Sequence, residues 1–478
     1  MVHGFETPDL RRAGALPALR HDADGRRRID MRAVAVLALP LVLNSTVQAV
    51  LNLTDTWFIG RLSTAATAAI AAVHWLALLA LFLIGGVAMG VQPLVAQAYG
   101  AGRYRRTSQI AWMGLWASVL TIPAFGLTIA FGPAMIRGFG LAADVEALAI
   151  QFWIPRMIGG PLAAALWAAV AYFNGIGRTR IPLMIGLAVL GSNVILNEVF
   201  IFRLGWGMAG AAWATTVAEL LGVLMAIQAI IRLEPRRFQA HLTWRPKMRR
   251  IVTLIALGLP MAMTASADLG AAALFQLMQV QFGIVDGAAT QIVTIFTAVA
   301  YMPGIGLALA GTTLVGQAIG AGDRDWAERL GNRIIAVVAC YMGGVGLLIA
   351  LVGDWVVPLF VNASDPRAAE VIALCSSLLW LAAAYQFFDG VNFASSFCLR
   401  GAGDARVPAL IVLSCGVFLF LPLTHLLTFA PGEGWFDSAP GYGLGAVGGW
   451  SAILVYVVAI GTALWLRWNN GAWRKIRL

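Results

Sequence analysis

An aspartate in the middle of an apolar run is the first feature of this sequence with chemical content. From Leu39 to Gly60 the chain reads LPLVLNSTVQAVLNLTDTWFIG, apolar enough for a bilayer yet carrying Pro40, Asn44, Gln48, Asn52 and Asp55. At about 100° per residue the last four fall within an arc of about 80°, one polar stripe on a lipid-soluble rod. A carboxylate near the centre of a membrane helix costs about 2.5 to 3.5 kcal/mol on insertion scales, and such residues mark ion or substrate paths. Asn44 or Asn52 alone would serve as well as glue between helices. A second stripe lies downstream, where Tyr385, Asp389, Asn392 and Ser396 share one face within about 60°. Asp268 follows Pro260 by just over two turns. Carboxylates in a low-dielectric cleft can be discharged by a proton or can bind Na+ with neutral oxygens from Asn, Thr and Tyr. In their charged form they attract an organic cation.

The elements that position these groups must be membrane helices. With 60% hydrophobic residues, 12% charged residues and a mean hydropathy of +0.80, the chain is too apolar for a soluble globule. Its long apolar runs match the roughly 20 residues a helix needs to cross hydrocarbon, and they lack the dyad alternation of barrel strands. They predict about twelve helices, at 32–60, 66–98, 106–131, 144–174, 179–203, 207–232, 250–281, 287–318, 328–353, 366–399, 406–429 and 443–468. The polar, Arg-rich start has no apolar core and no small-residue cleavage site, so it does not read as a secretory signal peptide. Of the 33 Lys and Arg residues, all but Arg61, Arg137, Arg156, Arg203 and Arg367 fall on one side of such a topology. The positive-inside rule makes that side cytoplasmic, with both termini on it, in the inner (plasma) membrane. The net charge of +10 is therefore a topology signal, and the run Arg245 to Arg250 reads as a topology determinant in place of a nucleic-acid patch. Cys340, Cys375, Cys398 and Cys415 have no metal-ligand spacing and read as packing residues. His74, the deepest of the five histidines, reads as an interhelical hydrogen-bonding residue.

The chain makes its main statements twice. VQPLVAQAYGAGRYRR after the second helix is answered by TTLVGQAIGAGDRDW after the eighth, so Gln97, Gly100 and Gly102 match Gln317, Gly320 and Gly322 at one constant offset. NGIGRTRIP after the fourth is answered by RGAGDARVP after the tenth. A Leu-Pro opens the first and seventh helices, and Gly-x-x-Gly opens the sixth and twelfth. Two even-numbered halves enter from the same side, which makes them parallel repeats about an axis along the membrane normal. The domain plan is an N-terminal arm (1–31), an N-lobe (32–232), a basic linker (233–249), a C-lobe (250–468) and a tail (469–478). The fold class is all-α and membrane-integral, with two pseudo-symmetric six-helix lobes. Lobes of this kind rock about a shared cleft to alternate access.

The segments LPLVLNSTVQAVLNLTDTWFIG, QAYGAG, NGIGRTRIP, LGLPMAMTASAD, QAIGAG and YQFFDGVNFASSFCLRGAGDARVP, in this order and from about Arg32 to Trp468, resemble those of multidrug and toxic compound extrusion (MATE) transporters. The resemblance implies a V-shaped pair of lobes exporting cationic or amphipathic compounds against H+ or Na+. It also implies site residues. The N-lobe resembles the DinF-like branch, with Asp55 and Gln48 on the first helix, Asn193 on the fifth and Thr215 on the sixth. Asn197 stands where some members have an aspartate, and Glu198 beside it is rotated by about 100°. Arg156, in RMIGGP, also resembles the DinF-like branch and would counter Asp55 or Glu198, or equally make a purely structural pair. The C-lobe resembles the NorM-like branch, with Asp268 in place of the usual glutamate, Tyr385 and Asp389. A Na+ would sit at Asp55, Asn193, Asn197 and Thr215 or at Asp268, Tyr385 and Asp389. Pro40 would bend the first helix by freeing the carbonyl of Val36. Met89, Met184, Met261, Phe275, Phe296 and Phe387 would give loose, adaptable contact if they faced the cleft, and otherwise packing. No cofactor is expected, the partners are small substrates and the bilayer, and the chain is expected to act as a monomer. The alternative is a flippase of a related superfamily moving a lipid or lipid-linked saccharide. Such a protein would carry several cations in its cleft, whereas this sequence offers acids. A membrane enzyme would need a clustered His, Ser or metal constellation, and none is visible.

Overall fold

Hydrocarbon offers no partner for an open peptide group, so a chain of this composition has to close every backbone hydrogen bond within each crossing. The computed structural model describes residues 16–361, 366–435 and 440–476. Twelve spans run through it: α1 Met31–Gly60, α2 Thr64–Gly100, α3 Tyr104–Arg137, α4 Ala143–Ile158 with Gly160–Gly175, α5 Arg180–Arg203, α6 Gly207–Arg232, α7 Met248–Phe282, α8 Ile284–Gly320, α9 Arg324–Phe360, α10 Ala368–Ala402, α11 Arg406–Thr428 and α12 Gly445–Asn469. Most ends agree with the hydropathy reading to within a turn, while α3 and α9 run nearly two turns further. The surface between their ends is a belt of large apolar side chains suited to lipid, among them Leu53 (70% exposed), Phe131 (68%), Trp355 (76%) and Phe418 (80%).

Two local departures from straight helices shape the lobes. The fourth span bends by 46° between Ile158 and Gly160, because Pro161 donates no hydrogen bond to Met157 and clashes with it. Pro40, by contrast, is buried inside an unbroken α1. The arm preceding α1 is not featureless: β1 (Leu19–His21) and β2 (Arg27–Ile29) pair antiparallel, with Leu19 opposite Ile29. Arg27 of this hairpin reaches Asp323 at 2.7 Å, and Trp326 Nε1 donates to the carbonyl of Pro17 at 2.9 Å, strapping the arm to the start of α9. At the equivalent place in the other lobe, Trp112 and Trp116 of α3 donate to the carbonyls of Ala240 and Trp244 and pin the linker.

The buried side chains form four cores, two toward the basic face and two toward the opposite face. Each core at the far end draws on one lobe only, with Phe58, Val73, Trp153 and Ala211 in the first and Phe275, Val293, Leu378 and Trp450 in the second. Toward the basic face each core borrows a helix. Ile251, Leu254 and Met261 of α7 join Val95, Met113, Ala168 and Val189, whereas Val34, Leu37 and Leu41 of α1 join Leu314, Leu330, Leu399 and Leu464. The two lobes are thus tied together at the basic face.

That tie is polar and doubly symmetric. Gln97 Nε2 donates to the carbonyl of Gly401 at 3.0 Å, and its repeat partner Gln317 donates to the carbonyl of Gly175 at 2.9 Å. Gln92 adds bonds to Leu309 O and Thr313 Oγ1, both at 3.1 Å, and Thr313 donates to Asn174 O at 2.9 Å. The backbones of α2 and α8 meet so closely that a Cβ on Gly100 would lie 2.0 Å from the carbonyl oxygen of Gln317. On Gly320 it would lie 2.1 Å from that of Gln97. No side chain longer than hydrogen fits there, which is the reason for the repeated glycines.

Gly100→Ala should therefore cost the closed basic face about 1 to 3 kcal/mol, roughly a five- to hundredfold shift in population. Spin labels at Arg105→Cys and Arg324→Cys, in a background without the native cysteines, should report a longer distance in this variant than in its parent. An unchanged distance distribution would show that the α2–α8 contact does not hold the lobes together.

Candidate functional site

On α1 the polar stripe divides. Asn44 turns to α5, where a Cβ on Gly186 would come within 2.6 Å of its Oδ1, and Gln48 and Asn52 are exposed. Among the described residues Gln48 makes no hydrogen bond, so it does not join Asp55. Asp55 is held on both carboxylate oxygens: Asn197 Nδ2 donates to Oδ1 at 2.8 Å and Thr215 Oγ1 to Oδ2 at 3.1 Å. Asn197 Nδ2 also donates to Asn193 Oδ1 at 2.9 Å, and Asn193 Nδ2 lies 3.2 Å from Thr215 Oγ1. Asn193 and Asn197 are one turn apart on α5 and both fully buried. The amide oxygen of Asn197 is buried without a partner, leaving an electron-rich atom beside the carboxylate. An oxygen cluster of this kind suits a small monovalent cation or a proton carrier.

Glu198 is not part of it. The rotation that separates it from Asn197 leaves it exposed, at the start of the π-helical turn Glu198–Arg203. Nor does Arg156 pair with Asp55 or Glu198. Its Nη1 lies 3.0 Å from both Oε1 and Oε2 of Glu219 on α6, a pair whose side chains are 14% and 9% exposed.

In the C-lobe, Asp389 is buried and accepts from Asn392 Nδ2 at 3.1 Å. Asp268 of α7, partly buried, is close enough for the two carboxylates to repel. The charge of Arg400, at the basic end of α10, also reaches Asp268, although among the described residues neither aspartate forms a salt bridge. Tyr385 sets its ring 5.9 Å from that of Trp450, and Gln386 donates to Thr297 O at 3.0 Å. Ser396 is buried on the same face. The hydroxyl of Ser266 and the amide oxygen of Gln386, on the same two helices as these acids, are buried without hydrogen-bond partners among the described residues. Among the described residues no three His, Cys, Asp or Glu side chains come together as a metal centre. Met261 and Phe275 pack in cores, whereas Phe387 and Met184 are exposed.

Two lobes with a carboxylate cluster each, joined at one face, narrow the choice to a small set of transporters, and comparison with known proteins decides it. The MatE family model matches residues 40–199 and 251–426. The chain belongs to the MATE family. Similar relatives named probable multidrug resistance protein NorM occur in Burkholderia pseudomallei, 30% identical over 459 residues that cover 90% of this chain and 92% of that protein, and in Agrobacterium fabrum, 28% identical over 431 residues that cover 87% and 92%. A solved structure described as the outward-facing conformation of a multidrug resistance MATE family transporter of the MOP superfamily has the same fold. Its TM-score is 0.79 at 19% identity, covering 93% of this chain and 96% of that one.

Two functional candidates in this MATE protein escape a reading by motif. Glu219 follows Thr215 by one helical turn, which alone would have aimed it at Asp55. Tyr301 on α8 meets Phe393 of α10 edge-on at 5.0 Å, one turn beyond Asp389 on that helix, a placement that depends on the packing of α8 on α10.

Thr215→Val keeps the volume and removes one of the two donors to Asp55. Loss of a hydrogen bond to a charged group is worth about 1.5 to 3 kcal/mol. If Asp55 works as a charged ligand, Thr215→Val should reduce uptake-coupled export by roughly tenfold or more, and Thr215→Ser should retain it. Equal activity of both variants in vesicles would remove the network from the mechanism.

Proposed function

We propose that this MATE protein exports cationic or amphipathic compounds by antiport against H+ or Na+, with its basic face in the cytoplasm. The orientation rests on the crowding of Lys and Arg onto the face where the lobes are joined. The observation that carries the antiport reading is the pair Asp268 and Asp389, offered by α7 and α10 without a salt-bridge partner among the described residues. Two carboxylates without a salt bridge in a low-dielectric site, even with the charge of Arg400 reaching one of them, cannot both stay charged at no cost, so one entering cation, organic or inorganic, relieves that cost. Driving ion and substrate then compete for the same charge, which is the coupling an exchanger needs. The N-lobe site offers Asp55 as one free carboxylate, since Glu219 is neutralised by Arg156. Exchange of substrate for the driving ion is accordingly assigned to the C-lobe, with Asp55 contributing. Export itself follows when the Gln97 and Gln317 tie opens and re-forms around the loaded cleft.

A flippase for lipid-linked pyrophosphates is the weaker reading. Its anionic cargo needs free cations in the cleft, and Arg156, the cation inside the N-lobe, is already committed to Glu219.

Purified protein in proteoliposomes, with ethidium as substrate and H+ and Na+ gradients imposed separately, tests the reading. One of the two gradients should drive ethidium movement, and Asp389→Asn, which keeps size and hydrogen bonding, should abolish it in a folded, inserted protein. If neither gradient drives transport, antiport is wrong. If Asp389→Asn transports normally while Asp55→Asn is dead, the exchange site lies in the N-lobe.

A further inference from the structure

The pair Arg156–Glu219 lies deep in the N-lobe, away from Asp268 and Asp389, and the exchange reaction gives it no role. It is placed with care. The bend of α4 falls immediately after Arg156. Thr216 Oγ1 donates to the carbonyl of Pro155 at 3.1 Å, and a Cβ on Gly159 would sit 2.4 Å from that same hydroxyl. The α4 bend and α6 are therefore locked in contact at this point, and Arg156 has one neighbour within salt-bridge distance, the bidentate Glu219. One turn before Glu219 on α6, Thr215 bonds Asp55. The three charges act on one another, Arg156 on Asp55 and Asp55 on Glu219, and His74 of α2 also lies within reach of Arg156. The residues of α5 that meet the site, Asn193 and Asn197, are neutral amides.

The charge count is informative. Asp55, Arg156 and Glu219 sum to minus one. Without Glu219 the guanidinium would be the natural counter-ion of Asp55, and a protein-borne cation would satisfy the carboxylate that transport has to keep available. We propose that Glu219 and Arg156 are positioning residues that set the net charge of the Asp55 site to minus one, so that the site takes one monovalent cation per cycle. Glu219 keeps Arg156 away from Asp55, and Arg156 keeps Glu219 from acting as a second ion ligand. The unpartnered amide oxygen of Asn197 beside Asp55 is the remaining ligand such a cation would use. This inference rests on the reading that Asp55 binds a cation during transport.

The test is a charge series in ethidium-exporting proteoliposomes: Glu219→Gln, Arg156→Gln and the double variant, each read as the concentration of H+ or Na+, whichever drives export, at half-maximal rate. Glu219→Gln takes the site to zero and should raise that concentration tenfold or more. Arg156→Gln takes it to minus two and should lower it by a similar factor, since a unit charge about 10 Å away at an effective dielectric of about 20 acts with roughly this strength. The double variant restores minus one and should return within about threefold of the parent. A pair that merely braces α4 against α6 would impair both single variants in the same direction, and that result overturns the proposal. So does a double variant as displaced as Glu219→Gln. Asp55→Asn separates the two levels: if it leaves the half-maximal concentration unchanged, the role of Asp55 and this inference fall together, whereas a defective Asp55→Asn with an unordered series removes the inference alone.

Discussion

The contact of α2 with α8 is the fixed point of the molecule. Where Gly100 and Gly320 face the carbonyls of Gln317 and Gln97, backbone touches backbone, and glutamine side chains from each repeat close hydrogen bonds on the other lobe. In hydrocarbon such contacts have no competing water, and helix association there is driven by close packing of small residues and by interhelical hydrogen bonds. The cores follow from this: near the contact they are shared between lobes, and far from it they are separate. In a structure joined at one end and independent at the other, opening of the joined face requires that join to break.

The two lobes handle buried charge differently. In the N-lobe, Asp55 is enclosed by neutral amide and hydroxyl donors and the second acid is tied to an arginine, so one negative charge is left, held in a ring of hydrogen bonds. In the C-lobe, Asp389 has a single amide donor, Asn392, and neither it nor Asp268 has a salt bridge among the described residues. Leaving one charge of a buried pair unmatched is costly, so the N-lobe arrangement favours a rigid site and the C-lobe arrangement a site that changes state readily. Repeats descended from one sequence pattern have thus been given unequal electrostatic tasks within the same scaffold.

Much of this was legible in the sequence. Apolar length and Lys/Arg placement were enough for the spans and their common polarity, because the bilayer imposes one length and one charge rule on every crossing. The repeated QAxGAG segments showed in the sequence as a duplication, but that they are where the lobes touch emerges only when the two copies are packed together. Asp55, Asn193, Asn197 and Thr215 came together as the resemblance implied. Glu198 stands outside the site because its rotation from Asn197 turns it to the surface, and Arg156 takes the structural pairing with Glu219, a partner that depends on how α4 packs on α6 and so could not be named from the sequence. The hairpin of the arm was hidden because its two strands are three residues each and draw their stability from Asp323 and Trp326, far away in the chain. Pro40 carried a bend in the sequence reading, and in the structure it is buried within a continuous α1.

The reciprocal placement of α1 and α7 bears on ancestry. Each leading helix seals the basic half of the core built by the other repeat, so a six-helix unit standing alone would leave an apolar trough uncovered. The arrangement has the form of a helix-exchanged dimer carried within one chain and joined by the basic linker. Neither half closes its own basic end, so the two repeats form one folding unit there while their far ends hold buried acids in different company.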